Sequence, residues 1–219
     1  MIPVFISEDI RNKLPNLKLS CIECDVKVSE TDDELWNSII QNTNERCRSL
    51  SVGDISRIPA IHASREAYKK CGKDPARYRL SAEALLRRAV QGKGLYKINN
   101  VVDLLNLVSV TSGFSIGGYD AGKISGDVVF DIGTAQEQYE GIGRGSLNIE
   151  NLPVFKDVIG AFGSPTSDSL RTAVTMETTR FLMIIIGFGA EELLPDVTDL
   201  ATGLLMKYAG ALNFEYSVI

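Results

Sequence analysis

The sequence predicts a single domain that combines α-helices with β-strands. Its 219 residues, 44% of them hydrophobic and 23% charged, are typical of one globular domain that buries a sizeable core. Helical periodicity dominates the first half of the chain, whereas short apolar runs separated by glycines follow Gly113. No repeat or long linker divides the sequence, so we treat 1–219 as one domain, with 190–219 as a C-terminal helix and strand extension.

The first fifty residues predict strands that alternate with helices. Ser7 precedes two acidic residues and is a typical N-cap of a short helix. Thr31 and Glu34 have the spacing of a capping box, which predicts the start of a longer helix. The predicted elements are a strand over 2–6, a helix that ends near Pro15, an alternating, half-buried strand over 17–28, and a helix over 32–48.

Three further helices are predicted between residues 58 and 110. The first, over 58–71, separates an apolar face from a polar face. The apolar face holds Ile61, Ser64, Tyr68 and Cys71, and the polar face holds His62, Arg65, Glu66 and Lys69. Pro75 follows this helix, Ser81 is the predicted cap of the next one, and Gly92 ends it. The third helix covers 101–110.

The second half of the chain predicts strands, followed by a final helix and strand. Apolar runs predict strands over 128–132, 154–162 and 181–188, and the last of these is the most deeply buried. From Glu191 the apolar residues return to helical spacing, and Phe214–Ile219 has the pattern of a strand.

The four cysteines are predicted to be reduced. The sequence shows no export signal, which favours a cytoplasmic location, where disulfides are rare. Cys21 and Cys24 form a CxxC pattern, but an alternating strand directs them to opposite faces and disfavours a shared metal or redox site. The apolar run 181–188 is too short to cross a membrane. We therefore expect no membrane partner, no metal and no cofactor.

Basic residues are concentrated in one segment of an acidic chain. The net charge of the chain is −5, yet residues 64–98 contain ten basic and three acidic residues, so this segment carries +7 and the rest carries −12. Such asymmetry is typical of a local patch that attracts phosphate groups. Ion pairing of the same cations within the protein is the alternative interpretation.

A continuous pattern of motifs covers residues 65–120. It consists of Arg65-Glu66-Ala67-Tyr68, a GxxPxxYRxSxEALLRR segment that starts at Gly72, the GKGL sequence of 92–95, the INxVVDxxN sequence of 98–106, and a turn at Gly118-Tyr119-Asp120. This pattern resembles stand-alone members of the B3/B4 family, a domain found in the β-chain of phenylalanyl-tRNA synthetase. A weaker likeness continues to Thr179.

The resemblance implies an α+β fold in which helices pack on a strongly bent sheet or β-sandwich. It also implies a tRNA or aminoacyl-tRNA partner, because in the complete synthetase this domain hydrolyses tyrosine wrongly attached to the phenylalanine tRNA. A pocket with polar partners for one hydroxyl group is suited to such a second sieve. The sequence has no recognisable ATP-binding motif, so no aminoacylation activity is expected.

The resemblance further suggests a pocket and two catalytic residues. Asn106 matches an asparagine of the family's editing pocket that holds the water or the ester carbonyl, and helix capping or bridging is its alternative role. Asp168 lies in the region of an acidic pocket residue, and a turn or cap is its alternative role. Gly117, Gly118 and Tyr119 are assigned to the pocket. Gly117 stands where synthetase β-chains carry a histidine, so this group is missing from the predicted site.

RNA contacts are predicted in the basic segment. Arginine is suited to bidentate phosphate binding, which makes Arg77 and Arg79 strong candidates. The predicted RNA-binding residues are Arg65, Lys69, Arg77, Arg79, Arg87, Arg88 and Lys93. His62, the only histidine, is predicted to face solvent.

Two other patterns in the chain are interpreted as structural. Tyr68, Tyr78 and Tyr96 interleave with the basic residues as base-stacking partners would, but core packing is the favoured interpretation. The glycine-rich 141–145 segment lacks the ending of a P-loop and is predicted to be a turn in a sheet.

Three functions remain open at this point. The first is a tRNA-associated protein that acts on an aminoacyl ester in trans. The second is a domain that senses an amino acid of the phenylalanine or tyrosine type, or another small ligand, without catalysis. The third is a protein-interaction module, in which the apolar segment 193–219 covers its own sheet or pairs with a second chain as a homo-oligomer.

Overall fold

Two four-stranded sheets and six helices form the framework of the computed structural model, which describes residues 1–219. The strands are β1 (Val4–Ile6), β2 (Lys18–Asp25), β3 (Ser115–Asp120), β4 (Val128–Ile132), β5 (Glu140–Gly141), β6 (Gly145–Ser146), β7 (Pro153–Lys156), β8 (Ala161–Gly163), β9 (Arg180–Gly187) and β10 (Leu212–Val218). The helices are α1 (Glu8–Lys13), α2 (Asp33–Cys47), α3 (Pro59–Lys70), α4 (Ser81–Val90), α5 (Asn100–Ser112) and α6 (Leu194–Ala209). None of them combines the length and apolarity that a membrane span requires.

The molecule has three layers, a small sheet, a large sheet and a layer of helices. The large sheet is antiparallel with the order β10-β2-β9-β3. The small sheet has the order β1-β4-β7-β8, with β1 and β4 parallel. The strands β5 and β6 pair separately as a hairpin. The predicted α+β fold, with helices packed on a β-sandwich, is confirmed.

Strand β9 lies at the centre of the large sheet and contributes to both cores, because successive side chains of a strand point to opposite faces. Leu182, Ile184 and Ile186 pack against the small sheet. Phe181, Met183 and Ile185 pack against the helices. The prediction that this strand is deeply buried is confirmed.

The CxxC cysteines on the neighbouring strand β2 also lie on opposite faces. Cys21 belongs to the core between the sheets, and Cys24 belongs to the core under the helices. Burial raises the pKa of each thiol to about 12, so both stay protonated at neutral pH.

The C-terminal helix and strand complete the large sheet. Strand β10 pairs with β2, and Val197, Ala201 and Leu205 of α6 belong to the core on the helical side. The predicted helix and strand are confirmed, and the buried face of α6 packs against α5 and against the protein's own sheet. Tyr216 and Val218 on the edge strand remain exposed, and a second copy of the chain stays a prediction.

Two helix starts differ from their predicted positions by one residue. Asp32, rather than Thr31, caps α2 by accepting a hydrogen bond from the Leu35 N–H, while the Thr31 hydroxyl donates to the buried carboxylate of Asp103. Ser81 is the first residue of α4 and no side chain caps that helix. By contrast, Ser7 caps α1 as predicted.

The predicted strand over 154–162 is in fact a hairpin of β7 and β8. The chain reverses between them at Asp157–Gly160, where Gly160 has a φ of 141°. Asp157 binds the Arg171 guanidinium through both carboxylate oxygens, at 2.8 and 2.9 Å. The apolar residues Val158 and Ile159 at the tip conceal this turn in the sequence.

Candidate functional site

A cavity of about 270 Å³ lies among α4, α5, β3 and the loop that follows β8. Its lining brings together Asn106, Gly118 and Asp168, which are far apart in the sequence. The other lining residues are Ser81, Leu85, Ile98, Val102, Leu105, Ser109, Ile116, Ile142, Ser164, Ser167, Leu170, Ala173 and Val174. The walls are therefore mainly apolar, and Asp168 is the only charged residue among them.

Asn106 lies on α5 and its amide forms no hydrogen bond within the chain. The capping and bridging roles belong instead to two earlier asparagines. Asn99 caps α5, and Asn100 bonds to the Ser29 N–H and to the carbonyls of Lys27 and Tyr208. The amide of Asn106 is thus free to bind a ligand in the cavity.

Asp168 lies on the loop after β8, with its carboxyl group facing the cavity. Its Oδ1 accepts hydrogen bonds from the Tyr119 hydroxyl at 2.9 Å and from the Ser164 N–H at 3.3 Å. Burial raises the pKa of Asp168 to about 7, although the hydrogen bonds from Tyr119, Ser164 and Gly118 oppose this rise.

Tyrosine side chains fix the loop that carries Asp168. The Tyr68 hydroxyl bonds to the Thr166 hydroxyl at 2.9 Å, and the Tyr139 hydroxyl donates to the Ser167 carbonyl at 2.6 Å. Each of these contacts joins residues that are well separated in the sequence. The loop that carries the Asp168 carboxyl group is therefore fixed by side-chain hydrogen bonds and is not an unsupported surface turn.

Gly117, Gly118 and Tyr119 form part of strand β3 and not the predicted turn. Gly118 lines the cavity, where a Cβ would lie 2.4 Å from Leu105 Cδ1. The assignment of Gly117 and Tyr119 to the cavity wall is corrected, because alternate residues of a strand face opposite sides. Tyr119 is buried between the two sheets, and only its hydroxyl reaches Asp168.

Tyr119 occupies a slot between two glycines. A Cβ on Gly117 would lie 2.1 Å from the Tyr119 hydroxyl oxygen, and a Cβ on Gly163 would lie equally close. Any other residue at either position would displace the tyrosine. Gly117, which the motif pattern matches to a histidine, therefore contacts the tyrosine whose hydroxyl binds Asp168.

A basic groove of about 660 Å³ adjoins the cavity. Leu85 and Ile142 line both spaces. The groove is lined by Arg79, Ala84, Leu85, Arg87, Arg88, Gln91, Lys93, Tyr96, Ile142, Gly143 and Arg144. Five of these residues are cationic and none is acidic, so the lining of the groove is positively charged.

Four of the seven predicted RNA-binding residues line this groove, namely Arg79, Arg87, Arg88 and Lys93. Arg65, Lys69 and Arg77 lie outside the groove, and their role in RNA binding stays a prediction. Arg65 and Lys69 lie on α3 and Arg77 lies in the loop that follows it, whereas the groove is lined by α4, its flanking residues and the β5–β6 turn.

Glu83 organises three of the arginines. Its carboxylate is only 1% exposed and pairs with Arg65 at 2.8 Å and Arg87 at 2.9 Å, with Arg79 at 3.8 Å. The alternative of internal ion pairing is therefore correct for part of the basic segment. Since one carboxylate serves three guanidinium groups, a net positive charge remains at the groove.

Sequence reasoning missed Arg144 as a groove residue. Arg144 follows the tip of the β5–β6 hairpin, and the predicted sheet turn over 141–145 is confirmed. The sequence assigns 141–145 to a sheet turn and gives Arg144 no role, because it lies outside the basic segment 64–98. The available signal was a cation within a glycine-rich turn.

Comparison with known protein families identifies the domain. The family model for the B3/4 domain matches residues 63–201, well over half of the chain and a range that includes Asn106, Gly118 and Asp168. The chain belongs to the B3/4 domain family. A search of curated proteins finds no sequence match for this B3/4 protein.

The fold of this B3/4 protein is similar to that of an N-terminal fragment of the phenylalanyl-tRNA synthetase β-subunit from Pyrococcus horikoshii. The TM-score is 0.51 at 13% sequence identity, and the match covers 97% of this chain. The chain spans 50% of the length of that fragment. At this identity the likeness concerns the fold alone.

Proposed function

We propose that this B3/4 protein binds the 3′ end of an aminoacyl-tRNA and hydrolyses the aminoacyl ester in trans. The observation that carries the proposal is that the basic groove and the cavity are adjacent and share the lining residues Leu85 and Ile142. An RNA strand whose phosphates lie in the groove can place the aminoacyl ester at its 3′ end in the cavity.

The charge of the cavity favours an ester over a free amino acid. Asp168 is the only charged residue of the lining, and no cation is present to pair with a free α-carboxylate. An aminoacyl ester has no such carboxylate and keeps a cationic ammonium group, which an ionised Asp168 attracts. The apolar walls suit an aromatic or aliphatic side chain.

The groups available in the cavity are sufficient for ester hydrolysis. A water attacks the ester carbonyl and forms a new C–O bond, while the bond to the ribose oxygen breaks. Asp168 accepts the proton of the water and returns it to the leaving oxygen, for which a pKa of about 7 is suitable. The Asn106 amide donates a hydrogen bond to the developing oxyanion.

Asn106→Ala is expected to slow deacylation by about 100- to 1,000-fold, the usual effect of removing one oxyanion donor. The measurement is the release of amino acid from tyrosyl- and phenylalanyl-tRNA by the purified protein. Asn44→Ala, the same change at an exposed position of α2, is the matched control and should leave the rate of deacylation unchanged. Equal rates for both variants, or no release by the unmodified protein, would refute the hydrolysis proposal.

Arg79→Ala is expected to weaken tRNA binding and to lower the slope of log K against log salt by about one, since one phosphate contact is lost. Arg77→Ala removes the same charge two residues away but outside the groove, so its effect should be small. Binding titrations at several salt concentrations give both values. If the two variants behave alike, the groove is not the RNA surface.

A non-catalytic ligand sensor gives a different result in the same assays. Free phenylalanine or tyrosine would then raise the melting temperature of the protein, and tRNA would not. We expect no such stabilisation, because the cavity has no cation to pair with the carboxylate of a free amino acid beside Asp168.

A further inference from the structure

Tyr96 differs from the other tyrosines of the basic segment. Tyr68 is buried in the core, in agreement with its predicted role, whereas Tyr96 is 57% exposed and lines the basic groove. An exposed tyrosine contributes little to a core. Its position among phosphate-binding cations therefore needs another explanation.

Arg88 supports Tyr96 from one side. The guanidinium carbon lies 3.8 Å from the centre of the ring, and the Arg88 Nη1 donates a hydrogen bond to the Tyr96 hydroxyl at 3.1 Å. The two contacts fix the plane of the ring and bring a positive charge to it. Together they form a flat, cationic surface, which is the kind of surface on which nucleobases stack.

The loop between α4 and α5 places this surface beside the cavity. Leu95 packs against the core, Tyr96 lines the groove and Ile98 lines the cavity. Asn99 then caps α5 and fixes the end of the loop. Two residues of extended chain cover about 7 Å, so Tyr96 lies close to Ile98 in the cavity wall.

We propose that Tyr96 and Arg88 form a stacking platform for an unpaired base of a single RNA strand in the groove. The base belongs to the nucleotide next to the one whose ribose reaches the cavity. The identity of this RNA strand rests on the proposed function. Bases inside a duplex are already stacked and paired, so only an unpaired end can use the platform.

The test is the affinity of the full chain for a labelled single-stranded RNA oligonucleotide and for a duplex of equal length. Tyr96→Ala should weaken single-strand binding by about 5- to 150-fold, the loss of one stacked base, and should leave the salt slope unchanged because no phosphate contact is removed. Tyr96→Phe retains the ring and should bind within about twofold of the unmodified protein. Tyr216→Ala, at an exposed tyrosine on β10, is the matched control.

A fluorescent adenine analogue, 2-aminopurine, locates the stacked nucleotide. Placed at successive positions from the 3′ end, it should be quenched at one position by the unmodified protein and by Tyr96→Phe, but not by Tyr96→Ala. The platform is disproved if the unmodified protein does not bind the single strand. Equal losses of single-strand and duplex affinity on Tyr96→Ala would also disprove it.

The two proposals fail in different ways. Stacking on Tyr96 without ester hydrolysis by the unmodified protein would leave the platform in place and remove the deacylase function. Hydrolysis that is insensitive to Tyr96→Ala at subsaturating aminoacyl-tRNA would leave the deacylase function in place and remove the platform.

Discussion

Replacing Asp168 with asparagine is expected to lower the rate of ester hydrolysis by about 100- to 10,000-fold, the range for the loss of a general base. Asparagine has the same shape, and its side-chain oxygen can still accept the hydrogen bonds from Tyr119 and Ser164. The geometry is therefore retained while the proton acceptor is removed. Single-turnover deacylation of aminoacyl-tRNA measures the effect, and a rate within about tenfold of the unmodified protein would exclude Asp168 as the base.

The dependence of the rate on pH gives a second measure of the same role. Because the pKa of Asp168 is about 7, the rate of the unmodified protein should rise as pH increases through 7 and become constant above it. The residual rate of Asp168→Asn should lack this inflection. A profile that falls with rising pH in this range would contradict the role of Asp168 as a base.

The same substitution is expected to stabilise the fold at high pH. The pKa of Asp168 is raised from 3.8 to about 7, so between these values the unfolded chain loses its proton first and the stability falls as pH rises. Above pH 7 the full penalty of the buried charge is present, and Asp168→Asn should recover roughly 1 to 4 kcal/mol of it. Urea unfolding at pH 8 and pH 4 measures this, and the gain should vanish at pH 4.

The architecture was largely predictable because hydrophobic periodicity reports which face of an element is buried. Strand β9 and helix α3 follow their patterns, since the core contacts that bury them repeat at regular spacing. The β7–β8 hairpin was missed because Val158 and Ile159 at its tip prolong the apolar run and obscure Asp157 and Gly160, which are typical turn residues.

The members of the site were predictable one by one, but their arrangement was not. Asn106 and Gly118 come from the family pattern, and Asp168 lies in its weakly matched part, yet all three line one cavity. Which cations line the groove depends on how α4 packs beside the β5–β6 turn. Such packing is not encoded in the spacing of charges along the chain.

The role of Tyr119 was hidden for a further reason. Its side chain points away from the cavity, and its link to Asp168 depends on the absence of a side chain at Gly117 and Gly163. In a single sequence, a glycine does not indicate which side chain occupies the space beside it. The close approach of Tyr119 to both glycines explains why β3 and β8 contain them.

Gly117→Ala is expected to destabilise the protein by about 1 to 3 kcal/mol, the usual effect of overpacking a core. The added Cβ would lie 2.1 Å from the Tyr119 hydroxyl oxygen, and Gly163 closes the opposite side of the ring, so the tyrosine cannot simply move aside. Gly203→Ala is the matched control: no atom lies near its added Cβ on α6, and alanine should stabilise the helix by up to about 1 kcal/mol. Thermal unfolding should therefore show opposite signs for the two changes.

Gly117→His restores the residue of the synthetase β-chains and should destabilise the fold more than alanine does. It should also lower the rate of hydrolysis, because a displaced Tyr119 no longer donates its hydrogen bond to Asp168 and the pKa of that carboxyl rises further.

A double-mutant cycle of Gly117→Ala with Tyr119→Ala tests the clash directly, since alanine at 117 should be better tolerated once the ring is gone. Faster hydrolysis by Gly117→His would show that the histidine was lost from an otherwise intact family site, whereas slower hydrolysis supports a site in which Tyr119 and its glycine slot position the carboxyl group instead.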